Sequence, residues 1–264
     1  MARIIAVSNQ KGGVGKTTTT LNLAAAVARA GRRVLLVDID PQGNASSGLG
    51  ITRDRAFNGV AEAMLGLEAM ASCVHRAEGE ELDVCPATAA LQGAEIELYG
   101  LPNRENRLAF ALAEVGERYD LVFIDTPPSL GMLTLNALVA ADSVLVPLQA
   151  EYYAMEGLGE LIRTINAVRR GPNPRLVREG VVITMSDSRN NLCREVERQA
   201  REVLGEEVFR TVVPRTVRLA EAPSHGRSIF AYDPGSRAAS SYRALGEELL
   251  GRVASVRGAA AGAL

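Results

Sequence analysis

At 264 residues, with 47% hydrophobic and only 4% aromatic side chains, the chain is long enough for one large α/β domain with a core of its own. A formal net charge of −2 gives no global nucleic-acid signal, yet the balance is uneven: residues 1–207 carry 21 basic against 27 acidic residues, whereas residues 208–264 hold eight arginines against four acids. Three cysteines, Cys73, Cys85 and Cys193, match no CxxC or zinc spacing and leave an odd number for disulfides, so they read as reduced thiols.

The first strand is expected at RIIAVS (3–8) and leads through NQKGGVGKT into a helix over 16–30. Strand, glycine-rich loop and helix in that order are the setting of a phosphate-binding loop. Gly12, Gly13 and Gly15 let backbone N–H groups turn inward around phosphate oxygens, Lys16 places a compact charge on the β- and γ-phosphates, and Thr17 offers a hydroxyl to Mg²⁺. Lys11 and Lys16 are the chain's two lysines; every other basic residue is arginine, whose planar fork suits so tight a loop poorly. The candidate nucleotide contacts of the loop run from Gly12 to Thr18 and include Val14 and Thr18, whereas Lys11 needs a second explanation.

Next come an apolar strand at RRVLLVDI (32–39), which ends on Asp38 with Asp40 just beyond it, and a further one at LDVCPA (82–87). Asp38 reads either as a site carboxylate or as an internal cap. A helical pattern over 104–118 precedes the strand YDLVFIDT (119–126), which ends on Asp125 before a Pro-Pro turn. Strands at DSVLVPL (142–148), GVVITM (180–185) and VFRTVVP (208–214) then alternate with helices over 151–170, 189–204 and 236–253. Strands that are apolar throughout are covered on both faces. The expected fold is α/β: a single-domain, doubly wound, mostly parallel sheet with helices on both faces over 1–254, followed by a flexible tail over 255–264. Strand ends at the carboxyl edge of such a sheet are where ligands bind, which singles out Asp40 and Asp125.

KGGVGKTT departs from the ordinary phosphate loop, since Gln10 stands where its first glycine belongs. It resembles instead the deviant Walker A loop of the ParA/MinD/nitrogenase-iron-protein group of P-loop ATPases. PLQAEYYAMEGL (147–158), TVVPRTVRLAEAPSHGRSI (211–229) and YDPGSRAASSYRAL (232–245) extend the resemblance to the chromosomal ParA branch, often called Soj, over almost the whole chain. The resemblance implies ATP and Mg²⁺ as cofactors, Lys11 reaching in trans to the partner subunit's nucleotide, Asp40 positioning the attacking water in the first switch, and Asp125 holding Mg²⁺ through water. By the same resemblance Pro214 and Arg215 flank the adenine, and Arg218, Arg227, Arg243 and Arg252 are candidates for a DNA-facing surface.

The implied function is an ATP-dependent homodimer that binds double-stranded DNA without sequence preference and is released by hydrolysis that a ParB-like centromere-binding partner stimulates. Too few residues precede the loop for a helix-turn-helix, so sequence-specific operator binding is not expected. A MinD-like division-site ATPase would share the ATP site but needs a membrane-binding amphipathic C-terminal helix, and GRVASVRGAAAGAL has no aromatic residue. A nitrogenase-like reductase needs two cluster-ligating cysteines, and Cys85 and Cys193 do not stand at the matching positions. With no leader-like opening and no apolar run near the ~18 residues of a spanning helix, the chain reads as a cytoplasmic, nucleoid-associated protein without a membrane partner.

Overall fold

A computed structural model describes the backbone of residues 2–52, 58–151 and 154–261, with side chains throughout these except at 154–156 and 256–261. Seven strands form one sheet: β1 (Arg3–Val7), β2 (Val34–Asp38), β3 (His75–Arg76), β4 (Asp83–Cys85), β5 (Leu121–Asp125), β6 (Ser143–Gln149) and β7 (Val177–Thr184). Their order is β3-β4-β2-β5-β1-β6-β7, parallel except for the antiparallel pair β3/β4 at one edge. The helices are α1 (Lys16–Arg29), α2 (Asn44–Ser47), α3 (Val60–Leu65), α4 (Leu91–Tyr99), α5 (Arg107–Ala113), α6 (Met132–Ala140), α7 (Ala154–Arg170), α8 (Asn191–Leu204), α9 (Arg218–Glu221), α10 (Ile229–Tyr232) and α11 (Arg237–Ala261).

The uniformly apolar strands are buried on both sides, and alternation within them divides their side chains between two cores. Ala6, Leu35, Val37, Val122, Ile124, Val144 and Val146 face a cluster completed by α3 to α8. Ile5, Val7, Val34, Leu36, Leu121, Phe123 and Leu145 face the other, which α1, α10 and α11 close with Leu21, Leu23, Phe230, Tyr242, Leu245 and Leu249. β1 lies between β5 and β6, and its loop emerges where the strand order reverses, the place at which open α/β sheets bind ligands. Register sets three carboxyl ends level: Val7 pairs with Asp125, and Asp38 pairs with Asp125 from the other side.

Six of the expected strands form. The seventh, 208–214, does not form a continuous ladder: it runs beside β7 through the isolated bridge Val181–Val208 and the Phe209 and Val213 N–H groups, which donate to Val181 and Ile183 (2.9 Å each), with a second bridge, Ser186–Pro214, just past the end of β7. The Glu248 carboxylate takes the N–H groups of Arg210 (2.8 Å) and Thr211 (3.0 Å), which diverts Thr211, the donor between the two that reach β7, and interrupts the ladder. α11 continues to Ala261, because its alanine-rich end sustains helical backbone past the position where a tail was expected. Residues 262–264 and the Tyr152–Tyr153 pair of the quoted 147–158 stretch lie outside the described residues. The three cysteines are free and buried. Among the described residues no helix is long and apolar enough to cross a membrane.

Candidate nucleotide site

Gly13 and Gly15 take left-handed backbone angles, φ +75° and +85°, which side-chain-bearing residues adopt only with strain. A Cβ on Gly12 or Gly13 would meet nothing within 4 Å, since both glycines face open solvent at the mouth of the loop. No side chain caps the start of α1, leaving the first-turn N–H groups directed into the loop. Thr184 on β7 fixes the loop from behind by donating to the Val14 carbonyl (2.8 Å).

Lys16 is buried, and its Nζ donates to the Lys11 carbonyl (3.2 Å). Burial lowers its pKa, against the opposing pull of Asp125 and Asp40. Asp125 is fully buried below the loop and accepts from the Thr17 hydroxyl (2.9 Å) and the Thr20 hydroxyl (2.7 Å). Burial, then the neighbouring Asp38, pushes its pKa well above the usual carboxylate range. Asp38 resolves toward the internal alternative: it accepts the Ser46 N–H (2.8 Å), the Ser46 hydroxyl (2.7 Å) and the Asp40 N–H (3.2 Å), which anchors the segment after β2. Asp40 is buried to 6% exposure, and its carboxylate accepts the Gln42 N–H (2.9 Å).

The arrangement fits a hydrated dication. Thr17, held by Asp125, keeps its oxygen lone pairs free, and closely set carboxylates raised in pKa by burial gain from positive charge. Among the described residues no group of three or more His, Cys, Asp or Glu side chains forms a cage, which suits Mg²⁺ bound through few protein groups and the phosphates of its nucleotide.

Lys11 stands apart. Asn9 Oδ1 accepts its N–H (3.0 Å), while its ammonium, 36% exposed, pairs with Glu151 (2.7 Å) outside the loop. Pro214 and Arg215 line a 230 Å³ cavity beside Gly15 and Thr18, together with Met185, Leu219 and Tyr242.

The four C-terminal arginines do not share one fate. Arg227 and Arg243 are exposed, and Arg243 lies 5.8 Å from the Phe230 ring centre. Arg218, 55% exposed, pairs with Glu221 (3.0 Å) and Asp233 (3.4 Å). The segment around α10 thus gathers Arg218 and Arg243. Arg252 is spent inside the fold: it donates to the carbonyls of Glu179, Glu207 and Val208, pairs with Glu248, and its guanidinium carbon lies 3.8 Å from the Phe209 ring centre. Its DNA-facing assignment is corrected on that ground.

Thr20, Asn9, Glu151 and Met185 escaped notice in the sequence. Thr20 alone carries a signal, its i+3 spacing from Thr17, which places both hydroxyls on one helix face above Asp125.

A family model described as an AAA domain matches residues 2–177. The chain is 54% identical to a chromosome partitioning protein ParA of Myxococcus xanthus over 96% of this chain and 89% of that one. It is 51% identical to the sporulation initiation inhibitor protein Soj of Bacillus subtilis over 94% and 98% of the two chains. Among solved structures it resembles a Mycobacterium smegmatis protein described as cobyrinic acid a,c-diamide synthase with bound ADP and magnesium, at a TM-score of 0.83 and 39% identity over 95% and 94% of the chains.

Proposed function

The chain belongs to the ParA/Soj family of chromosome-partitioning ATPases, and from that premise we propose that it is a magnesium-dependent, ATP-operated DNA clamp. Two chains close face to face around two ATP molecules, and the pair binds double-stranded DNA without sequence preference. Hydrolysis, stimulated by a ParB-like centromere-binding partner, returns the protein to single chains and releases the DNA.

Each side chain has a defined task in this reading. The loop amides and Lys16 hold the terminal phosphates. The Thr17 hydroxyl, oriented by Asp125, would contact a magnesium ion, which the Asp125 and Asp40 carboxylates would help to hold. When bound there, magnesium would add positive charge that offsets the charge developing on the terminal phosphates. Asp40, two residues past the end of β2, orients the water that attacks the γ-phosphate. Pro214 and Arg215 flank the base.

The observation that carries the dimer is the division of labour at Lys11. Its carbonyl faces inward and receives Lys16, whereas its ammonium points away from its own loop to Glu151. A cation beside a phosphate cradle that it does not enter is placed to serve a neighbouring one. The Lys11–Glu151 pair is exposed and costs less than ~1 kcal/mol to part.

The DNA face is drawn around Arg218, Arg227 and Arg243, which supply phosphate contacts without base readout. Over its described side chains α11 turns Tyr242, Leu245, Leu249 and Val253 into the core beside α1 rather than toward lipid, which favours this reading over a MinD-like one. Gly12→Val tests the reading. A Cβ at Gly12 would meet nothing within 4 Å in the chain itself, so the fold should survive the change, and the branched carbons are expected to obstruct the partner's loop. The variant should bind ATP but remain a single chain by light scattering; normal ATP-dependent pairing would place the interface elsewhere.

A further inference from the structure

Among the described residues two non-glycine residues have positive φ, Asn103 and Met185, each at +52°. Asparagine tolerates that region, whereas methionine occupies it only at a cost that glycine would avoid. Such strain persists where the surroundings require it, and clusters at ligand sites.

The surroundings of Met185 are specific. β7 ends at Thr184, and the left-handed residue turns the chain so that the Ser186 N–H donates to Val213 (3.1 Å) and the Ser186 carbonyl accepts from the Arg215 N–H (3.0 Å). These bonds hold the Pro214–Arg215 segment against the phosphate loop. Glycine would make the same turn without strain, so the turn does not explain the side chain. Its terminal methyl, Cε, lies 3.6 Å from where a Cβ on Gly15 would stand, and the residue forms part of the 230 Å³ cavity whose other walls include Thr18, Pro214, Leu219 and Tyr242. That space is smaller than the ~300 Å³ at which pockets for whole small ligands begin, so it suits the base end of a nucleotide whose phosphates lie in the adjoining loop.

We propose that Met185 is a base-positioning residue: its thioether, held over Gly15 by the strained turn, is the wall against which the face of a purine nucleotide's base packs. A flexible, polarisable sulfur side chain adapts to a planar π-surface, and its placement sets the angle at which the triphosphate enters the loop. The proposal rests on the reading of the loop as the ATP site and adds to it the side chain that fixes the base.

Calorimetric titration with MgATP and, separately, with magnesium tripolyphosphate distinguishes the two. Met185→Gly releases the strain and deletes the wall, Met185→Ala keeps the β-carbon and deletes the wall, and Met185→Leu retains an apolar wall. The glycine and alanine variants should bind MgATP at least fivefold more weakly than the parent and tripolyphosphate within twofold of it, while the leucine variant recovers MgATP affinity to within twofold. Unchanged MgATP affinity in both wall-deleted variants, or an equal loss for tripolyphosphate, would overturn the proposal. A parent that binds neither probe would remove the phosphate-loop reading and the proposal with it.

Discussion

The Thr17 hydroxyl donates to Oδ2 of Asp125 across 2.9 Å, joining the first turn of α1 to the end of β5 although 108 residues separate them in the chain. The Thr20 hydroxyl lies 2.7 Å from the other carboxylate oxygen and 2.9 Å from the Lys16 carbonyl, its single proton shared between the two acceptors. One buried carboxylate thereby fixes the helix that presents both Thr17 and Lys16.

Thr20→Val removes one of these donors at nearly constant volume and leaves a buried oxygen short of a partner. Stability in urea should fall by about 1–3 kcal/mol. Thr17 stays held by Asp125 and the loop is untouched, so MgATP affinity should change little in calorimetry.

The acidic pair makes stability depend on pH. Burial raises the pKa of Asp38 to about 6 and that of Asp125 higher still, with Asp38 itself adding to the rise at Asp125. The folded chain then binds protons that the unfolded chain, with aspartates near ~4, has released, so stability falls as pH climbs from ~4 through the raised values. Without nucleotide the urea midpoint should be lower at pH 8 than at pH 5. Asp38→Asn should narrow that difference, and an unchanged difference would contradict the assignment.

Binding and chemistry separate at Lys16 and Asp40. Lys16→Ala deletes the charge inside the cradle and should weaken ATP binding at least tenfold, about 1.4 kcal/mol. Asp40→Ala leaves the cradle intact, so ATP should still bind while hydrolysis is lost and the ATP-bound pair accumulates. A single chain with bound ATP, seen by light scattering, would give Asp40 a structural role instead.

Arginines that look alike in the sequence should behave differently. Arg252→Ala abandons three carbonyls and Glu248 and should cost about 1–3 kcal/mol of stability in urea. Arg227→Glu, at an exposed position, should leave the unfolding midpoint nearly unchanged and weaken DNA binding for every sequence alike.

The contrast marks how far the sequence is readable. The phosphate loop is contiguous, so its residues and its strand-to-helix setting announce it together. Strand order, and the level placement of Asp38 and Asp125, follow from β-α alternation only in outline, because register is a tertiary property. α6 went unnoticed since it is apolar nearly all round, and a buried helix lacks the periodicity that reveals an amphipathic one. The run 208–214 has a strand's composition, yet Glu248 from α11 takes two of its donors, a contact between residues almost forty positions apart. Arg252 carried the same basic signal as Arg227 until the carbonyls around it were known. Nothing local marks Met185, whose significance lies in a backbone angle and the cavity beside it.

The central claim is a DNA grip made by the ATP-joined pair, and gel retardation of two unrelated DNA fragments across a salt series tests it most directly. With MgATP the parent should retard both fragments equally, with affinity falling steeply as salt rises, and liposomes should not compete. Retardation should vanish with ADP and in Gly12→Val, because two weak patches become one site only when joined. Equal retardation with ADP and ATP, preference for one fragment, or no retardation by a protein shown to be an ATP-bound dimer would contradict the account.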